Sequence, residues 1–345
     1  MNIKTIGIIG NNATNYNFAQ SLIKNGYQIY FYLTDADSRL EKISNEVTIG
    51  KISDQKKLEE FADKCDTVIF NTRIINSEIL SNLKEKTFLP QKTDLIDLSD
   101  DRLLLNAFLD NLNVNFYPYS TIVYLEDIYD EIKKIGYPAI LKTNHPNDYN
   151  YDFEIKDEAD IPHASKLLEK DVCVLEPYFS KKKYYEQTII KSDDGSLQLM
   201  PINHLNFKNQ KIDSIESIDN LESDTKNEIQ KTSNKIATAI DYTGLLSIVF
   251  FVTDQGFIYI NRLKYDFDLS SIIYKDSVKI DIFNQIIRSI QNYDLKEKSE
   301  LLDISLIPFE KITKSDFISK NQNFDFHFEY QDRFNQGYYL INHSE

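Results

Sequence analysis

Gly136-Tyr137-Pro138-Ala139-Ile140-Leu141-Lys142-Thr143 joins a tight turn to a short apolar strand that runs into a lysine. Glycine and proline punctuate the turn, and Ala139 to Thr143 reads as strand. A lysine at the end of a buried strand needs a partner or an anionic ligand, because desolvating an ammonium without either is costly. Lys142 is therefore the first candidate for chemistry.

Upstream, Ser99 is expected to cap a helix from Asp100 to about Leu112, stopped at Tyr117-Pro118. A strand near Tyr119 to Val123 and a helix to Ile135 then lead into the turn. Downstream come a helix near Ile161 to Glu169 and an apolar strand, Val172 to Glu176. Tyr184 to Lys191 and Leu197 to Asn206 flank an Asp194-Gly195 turn and read as a hairpin. A polar helix from about Leu221 to Ile240 separates it from a second hairpin, Leu245 to Thr253 with Phe257 to Asn261. A helix from about Ile280 to Ile290 precedes short strands at Asp325 to Tyr330 and Tyr338 to Ile341, read as a small β-rich appendage.

The N-terminal part alternates strand and helix: Thr5 to Ile9, about Asn15 to Asn25, Gln28 to Leu33, about Asp54 to Lys64, and Thr67 to Phe70. That alternation predicts a parallel sheet covered on both faces. The 345 residues allow two or three packed units, and 41% hydrophobic with 27% charged residues is globular composition. A net charge of −15 argues against a nucleic-acid footprint. The one basic cluster, Lys181-Lys182-Lys183, reads as a solvated turn. Cys65 and Cys173 have no metal or redox spacing, which suggests inert thiols in a reducing compartment. With no signal-like or membrane-spanning run, a cytoplasmic protein without membrane partners is expected.

Asp100-Asp101-Arg102, the Gly136 to Thr143 stretch, Val172 to Glu176, and the run Asp241-Tyr242-Thr243-Gly244-Leu245 to Thr253 occur in an order that resembles the ATP-grasp carboxylate–amine ligases. The sequence is most similar to the 5-(carboxyamino)imidazole ribonucleotide synthase branch of purine synthesis, over nearly the whole chain. The resemblance implies an α/β and α+β ATP-grasp fold. Its expected parts are a Rossmann-like domain over 1–97, an ATP-grasp domain over 98–292 with a smaller lobe at about 118–178, and a small C-terminal domain over 293–345. It also implies ATP held between two lobes, bicarbonate activated as carboxyphosphate, and carboxylation of aminoimidazole ribonucleotide by a dimeric enzyme.

The resemblance assigns Arg102, Lys142, Glu176 and Asn261 to an ATP site, Lys142 contacting phosphates. Two glutamates that should hold magnesium appear as Val249 and Arg262. Valine has no ligand atom, and a guanidinium repels the metal it displaces, though it can pair with phosphate directly. Asp266 and Asp268 are weak substitute ligands. The expected ribose glutamate is Tyr184, with Glu186 as a replacement if the segment shifts. The glycine-rich phosphate loop is replaced by Asn144 to Asp152, which contains no glycine, and His145 in it reads as an exposed loop histidine. The acidic motif expected after the third strand read here, Thr67 to Phe70, is Asn71 to Asn76, without glutamate. At the first βα turn, Asn11, Asn12, Thr14 and Asn15 remain candidates for an anion, provided an asparagine adopts positive φ and the helix start is capped.

These losses fall on metal, phosphate, ribose and acceptor contacts, while the residues that build the fold persist. The expectation is a divergent, catalytically impaired member with weak or absent ATP binding and no bound magnesium. It would bind a nucleotide, ribonucleotide or protein partner, as a homodimer or beside an intact family member. The alternative is an active ligase with another substrate and recruited metal ligands.

Overall fold

The computed structural model describes residues 3–12, 14–72, 77–145, 152–208, 211–217, 221–276, 281–295, 304–310, 325–327 and 336–342. Arg73 to Asn76, Pro146 to Tyr151 and Phe328 to Tyr330, all parts of motifs or strands read from the sequence, lie outside them.

Four parallel strands open the chain: β1 (Thr5–Ile9), β2 (Gln28–Leu33), β3 (Glu46–Ile49) and β4 (Thr67–Phe70), ordered β3-β2-β1-β4. Ile6, Ile8 and Ile9 are all fully buried, which explains a continuous apolar run where a half-exposed strand would alternate. β3 and the helix Ser38–Ile43 were not legible, because each is short and β3 is a partly exposed edge without periodicity. β1 ends at Gly10, with φ +124°, where a Cβ would lie 2.5 Å from the Asn71 carbonyl oxygen. Only glycine fits there.

Two helices follow where one was expected: Lys92–Asp100 and Arg102–Asn111. Ser99 is not a cap; it sits inside the first, its hydroxyl donating back to the Leu95 carbonyl at 2.7 Å. The cap of the second is Asp101, whose carboxylate accepts from the Leu104 amide at 2.8 Å.

Residues 120–177 carry a small antiparallel sheet, ordered β5-β8-β6-β7, of β5 (Ser120–Ile122), β6 (Ala139–Thr143), β7 (Phe153–Ile155) and β8 (Cys173–Pro177). The helix Leu125–Ile135 packs on it and stops at Gly136, φ +86°. Ile122, Ile128, Leu141, Ile155 and Leu175 form a separate apolar core. The helix read near Ile161 to Glu169 is shorter, Ile161–Ala164, and tightens into a 3₁₀ turn over Ser165–Glu169.

The large antiparallel sheet contains β9 (Lys182–Lys191), β10 (Leu197–Lys208), β11 (Lys211–Ser217), β12 (Gly244–Thr253), β13 (Ile258–Lys264), β14 (Ile304–Glu310), β15 (Asp325–His327) and β16 (Gln336–Asn342). Their order is β13-β12-β9-β10-β11-β14-β16-β15. β11 has only two apolar residues, Ile212 and Ile215, and was not legible. Ile215 pairs with Leu306, so the C-terminal strands extend this sheet and do not form one of their own. The polar helix Ser223–Ala239 packs through a single stripe, Ile229, Ser233, Ile236 and Ala237. Phe267 packs between Phe18 and Phe283 at ring distances of 4.6 and 6.0 Å, tying the large sheet's outer loop to the N-terminal unit.

Candidate functional site

A cleft of about 350 Å³ separates the small sheet from the large one. Arg102, Lys142, Lys182, Tyr184, Val249 and Arg262 line it, with Asn261 beside them. Strand register explains the convergence. β12 lies between β9 and β13, and Val249 pairs with Glu186 on one side and Arg262 on the other.

Lys142 is buried and its ammonium lies 2.7 Å from the Glu176 carboxylate. Buried Tyr117 also hydrogen-bonds Glu176, and burial first, then that carboxylate's charge, pushes the phenol far above its ordinary range. Glu176 is therefore the counter-ion of Lys142 and more than a hinge residue. Arg102, at the start of its helix, is no surface cap: its Nε donates to the Thr143 carbonyl at 3.0 Å, and the Leu103 amide donates to Asn144 Oδ1 at 2.9 Å. His145 is exposed but tethered, with Nδ1 3.0 Å from Asp171 and Nε2 3.6 Å from Asp101.

Val249 and Arg262 stand side by side where the resemblance places magnesium ligands, and neither has an atom that would hold the metal. The residues present do not fit it. The weak substitutes are engaged elsewhere. Lys264, 2% exposed, has its ammonium 2.6 Å from Glu186, 2.8 Å from Asp268 and 3.0 Å from the Ser270 hydroxyl. Burial alone would raise the Asp268 carboxyl, but the charge and hydrogen bond of Lys264, the Ser270 hydroxyl and nearby Arg262 hold it well below the usual range. For Lys264, burial works downward and is outweighed by Asp268 and Glu186, so its pKa is raised. Glu186, proposed as a ribose ligand, is fully buried against Lys264 and is not part of the cleft wall. Asp266 is buried and likewise outside that wall. Among the described residues no group of three metal-ligating side chains forms.

The βα turn does not present the anion donors read from sequence. Asn11 Oδ1 accepts from the Thr34 amide at 2.8 Å, and its Nδ2 donates to the Asp35 carbonyl at 2.8 Å. Asn12 Oδ1 accepts from the Thr14 amide at 3.2 Å. The Thr14 hydroxyl donates to the Phe267 carbonyl at 2.6 Å, and Asn15 Nδ2 donates to the Gly10 carbonyl at 2.7 Å. Asn71 completes the closure, giving a hydrogen bond to Asn15 Oδ1 at 2.7 Å and receiving one from the Phe267 amide at 3.0 Å. Positive φ falls on Gly10 and not on Asn11 or Asn12, and no side chain caps the helix that follows. The buried polar atoms of this corner are thus consumed by the chain itself.

Lys182 departs from the sequence expectation. It is no solvated turn residue but a cleft-facing one, its ammonium 5.8, 5.3 and 5.2 Å from the ring centres of Tyr178, Tyr184 and Phe251. Burial lowers its pKa, against the charges of Glu176 and Asp152. The available signal was strand alternation, since Lys182 shares a face with Tyr184. Lys182→Met is expected to raise the melting temperature of the ligand-free protein by about 1–2 °C, or roughly 1 kcal/mol for a chain of this size. A lower melting temperature would mean that the ring contacts outweigh the lost hydration. The thiols are as inert as expected: burial pushes both Cys65 and Cys173 up to about 12. No helix among the described residues is long and apolar enough to cross a membrane.

The ATP-grasp domain model matches residues 107–264, and the ribonucleotide synthetase pre-ATP-grasp domain model matches residues 3–98. The N5-carboxyaminoimidazole ribonucleotide synthase of Staphylococcus aureus is 28% identical over 260 residues, 75% of this chain and 69% of that protein. The same-named protein of Staphylococcus epidermidis is 26% identical over equal shares. The structure of N5-carboxyaminoimidazole synthetase from Staphylococcus aureus complexed with ADP superposes with a TM-score of 0.90 at 23% identity, covering 99% of this chain and 94% of that one. N5-carboxyaminoimidazole synthase from Aspergillus clavatus, in complex with ADP and 5-aminoimidazole ribonucleotide, superposes at 0.88 with 15% identity and the same coverage. These two likenesses carry the fold, and the sequence matches carry the kinship: the chain belongs to the ATP-grasp family, in the branch of the N5-carboxyaminoimidazole ribonucleotide synthases.

Proposed function

We propose that this chain binds an adenine nucleotide in the cleft between its lobes and no longer carries out the ligase reaction of its branch. The observation that carries this reading is the register pair Val249 and Arg262, an apolar residue and a cation where the reaction needs two carboxylates. Phosphoryl transfer depends on neutralising charge that develops on the phosphates, which in this family is the task of bound metal. The closed βα turn supports the same reading, because the corner that would receive a ribonucleotide phosphate is hydrogen-bonded to Phe267. Recruiting Glu186 or Asp268 as a metal ligand would take a counter-ion from Lys264, a buried ammonium. The separate apolar core of the small sheet supports a smaller lobe at about 118–178.

A ligand that binds the folded state raises its stability, by about 2.7 kcal/mol at a hundredfold excess over Kd. ADP is therefore expected to raise the melting temperature by several degrees, while aminoimidazole ribonucleotide leaves it unchanged. No response to ADP or ATP at millimolar concentration removes the nucleotide reading. A response to the ribonucleotide removes the closed acceptor corner.

A further inference from the structure

We propose that the cleft takes its nucleotide as the metal-free polyphosphate anion and that magnesium weakens binding; this rests on the nucleotide-binding reading above. Four side-chain cations from four different elements converge on the cleft: Arg102 from its helix, Lys142 from β6, Lys182 from β9 and Arg262 from β13. Lys142, already paired with Glu176, stands on the small sheet, and Lys182 and Arg262 stand on strands of the large one, so together they can face an extended anion from both walls in place of one metal ion that would bridge it.

The sign of the magnesium effect follows from where those charges sit. Magnesium chelated to a polyphosphate cancels two of its negative charges and presents a dication to its surroundings. Arg262 occupies one of the positions where that dication would need a carboxylate, and Val249 beside it supplies no oxygen. Fixed side-chain cations thus lose attraction to the chelate and gain repulsion from it. Guanidinium donors instead match the geometry of bare phosphate oxygens.

Lys182 gives the second reason. Its ammonium has three aromatic faces around it and, among the described residues, no hydrogen bond or ion pair. Cation–π contacts replace only part of lost hydration, so an arriving phosphate oxygen would complete its coordination. The cleft's own carboxylates offer magnesium little. Asp101 is held by the Leu104 amide. Asp152, just before β7, and Glu154 within it are the other carboxylates of the cleft wall among the described residues.

Calorimetric titration of the wild-type protein with ADP, ATP and inorganic pyrophosphate, in excess EDTA and again in millimolar magnesium chloride, tests this. Affinity for ADP and ATP is expected to be at least about tenfold tighter in EDTA. Val249→Glu/Arg262→Glu is expected to reverse the preference. Binding that is equal in both buffers, or tighter with magnesium, overturns the inference while leaving the nucleotide-binding reading intact, and tighter binding with magnesium would point to Asp152 and Glu154 as its ligands. No binding in either buffer overturns both. The wild-type titration decides the matter even if the double variant does not fold.

Discussion

Lys264→Met is expected to lower folding stability by about 3–5 kcal/mol, because removing one partner of a buried ion pair strands the others. Glu186 is fully buried and cannot turn to solvent, whereas Asp268, 24% exposed and tied to Ser270, can hydrate in part, so most of the loss falls on Glu186. Methionine fills most of the lysine's volume, so the loss reports charge and not a cavity. The melting temperature should fall by about 4–7 °C. Lys264→Met/Asp268→Asn removes one stranded charge and should recover a substantial part. The wild-type pH dependence has a definite sign. Asp268 is depressed, so its contribution is present above the unfolded value near pH ~4 and is lost as pH falls through the lower folded value. Lys264 is raised, so its contribution is complete below ~10.4 and is lost as pH rises through its folded value. The single variant should gain on the wild type as pH falls, since its stranded carboxylates can take up protons. Urea denaturation across this range measures it. A variant melting within about 2 °C of wild type would mean that Lys264 does not secure this corner.

Lys142→Ala has the second large effect, and it acts on both stability and binding. The Glu176 carboxylate, 4% exposed, loses its counter-ion while remaining against Tyr117, which should lower stability by about 3–5 kcal/mol. Lys142→Met/Glu176→Gln removes both charges and should restore most of the fold. Nucleotide affinity should not return with it, since the cation is still missing. A loss of about 2–3 kcal/mol, or roughly 30-fold to 150-fold, is expected from the magnitude of a charge-assisted contact to phosphate. Recovery of affinity in the double variant would place the phosphates elsewhere.

The legible part of this protein is the part written in local pattern. Apolar runs bounded by glycine and proline disclose β6, β12 and the hairpins, and motif order assigns Arg102, Lys142, Asn261 and Arg262 to the one cleft that they line. What stayed hidden depends on contacts that sequence spacing does not encode. Lys264, Asp266 and Asp268 look like a solvated acidic loop, yet the ammonium is buried between carboxylates from two parts of the chain. The Asn71 contact that closes the βα turn spans 196 residues to Phe267. Lys182 was lost in a run of three lysines, where only the face selected by strand pairing distinguishes the middle one. Ser99 reads as a cap because nothing local announces the break between two adjoining helices.

The central claim is that the fold has kept its nucleotide cleft and lost the family's turnover. It is tested most directly by steady-state ADP release from ATP with bicarbonate, aminoimidazole ribonucleotide and magnesium, compared with Lys142→Met/Glu176→Gln at equal concentration. The prediction is that wild type and variant give the same background rate. ADP release by the wild type above that background, dependent on both bicarbonate and aminoimidazole ribonucleotide, would contradict it.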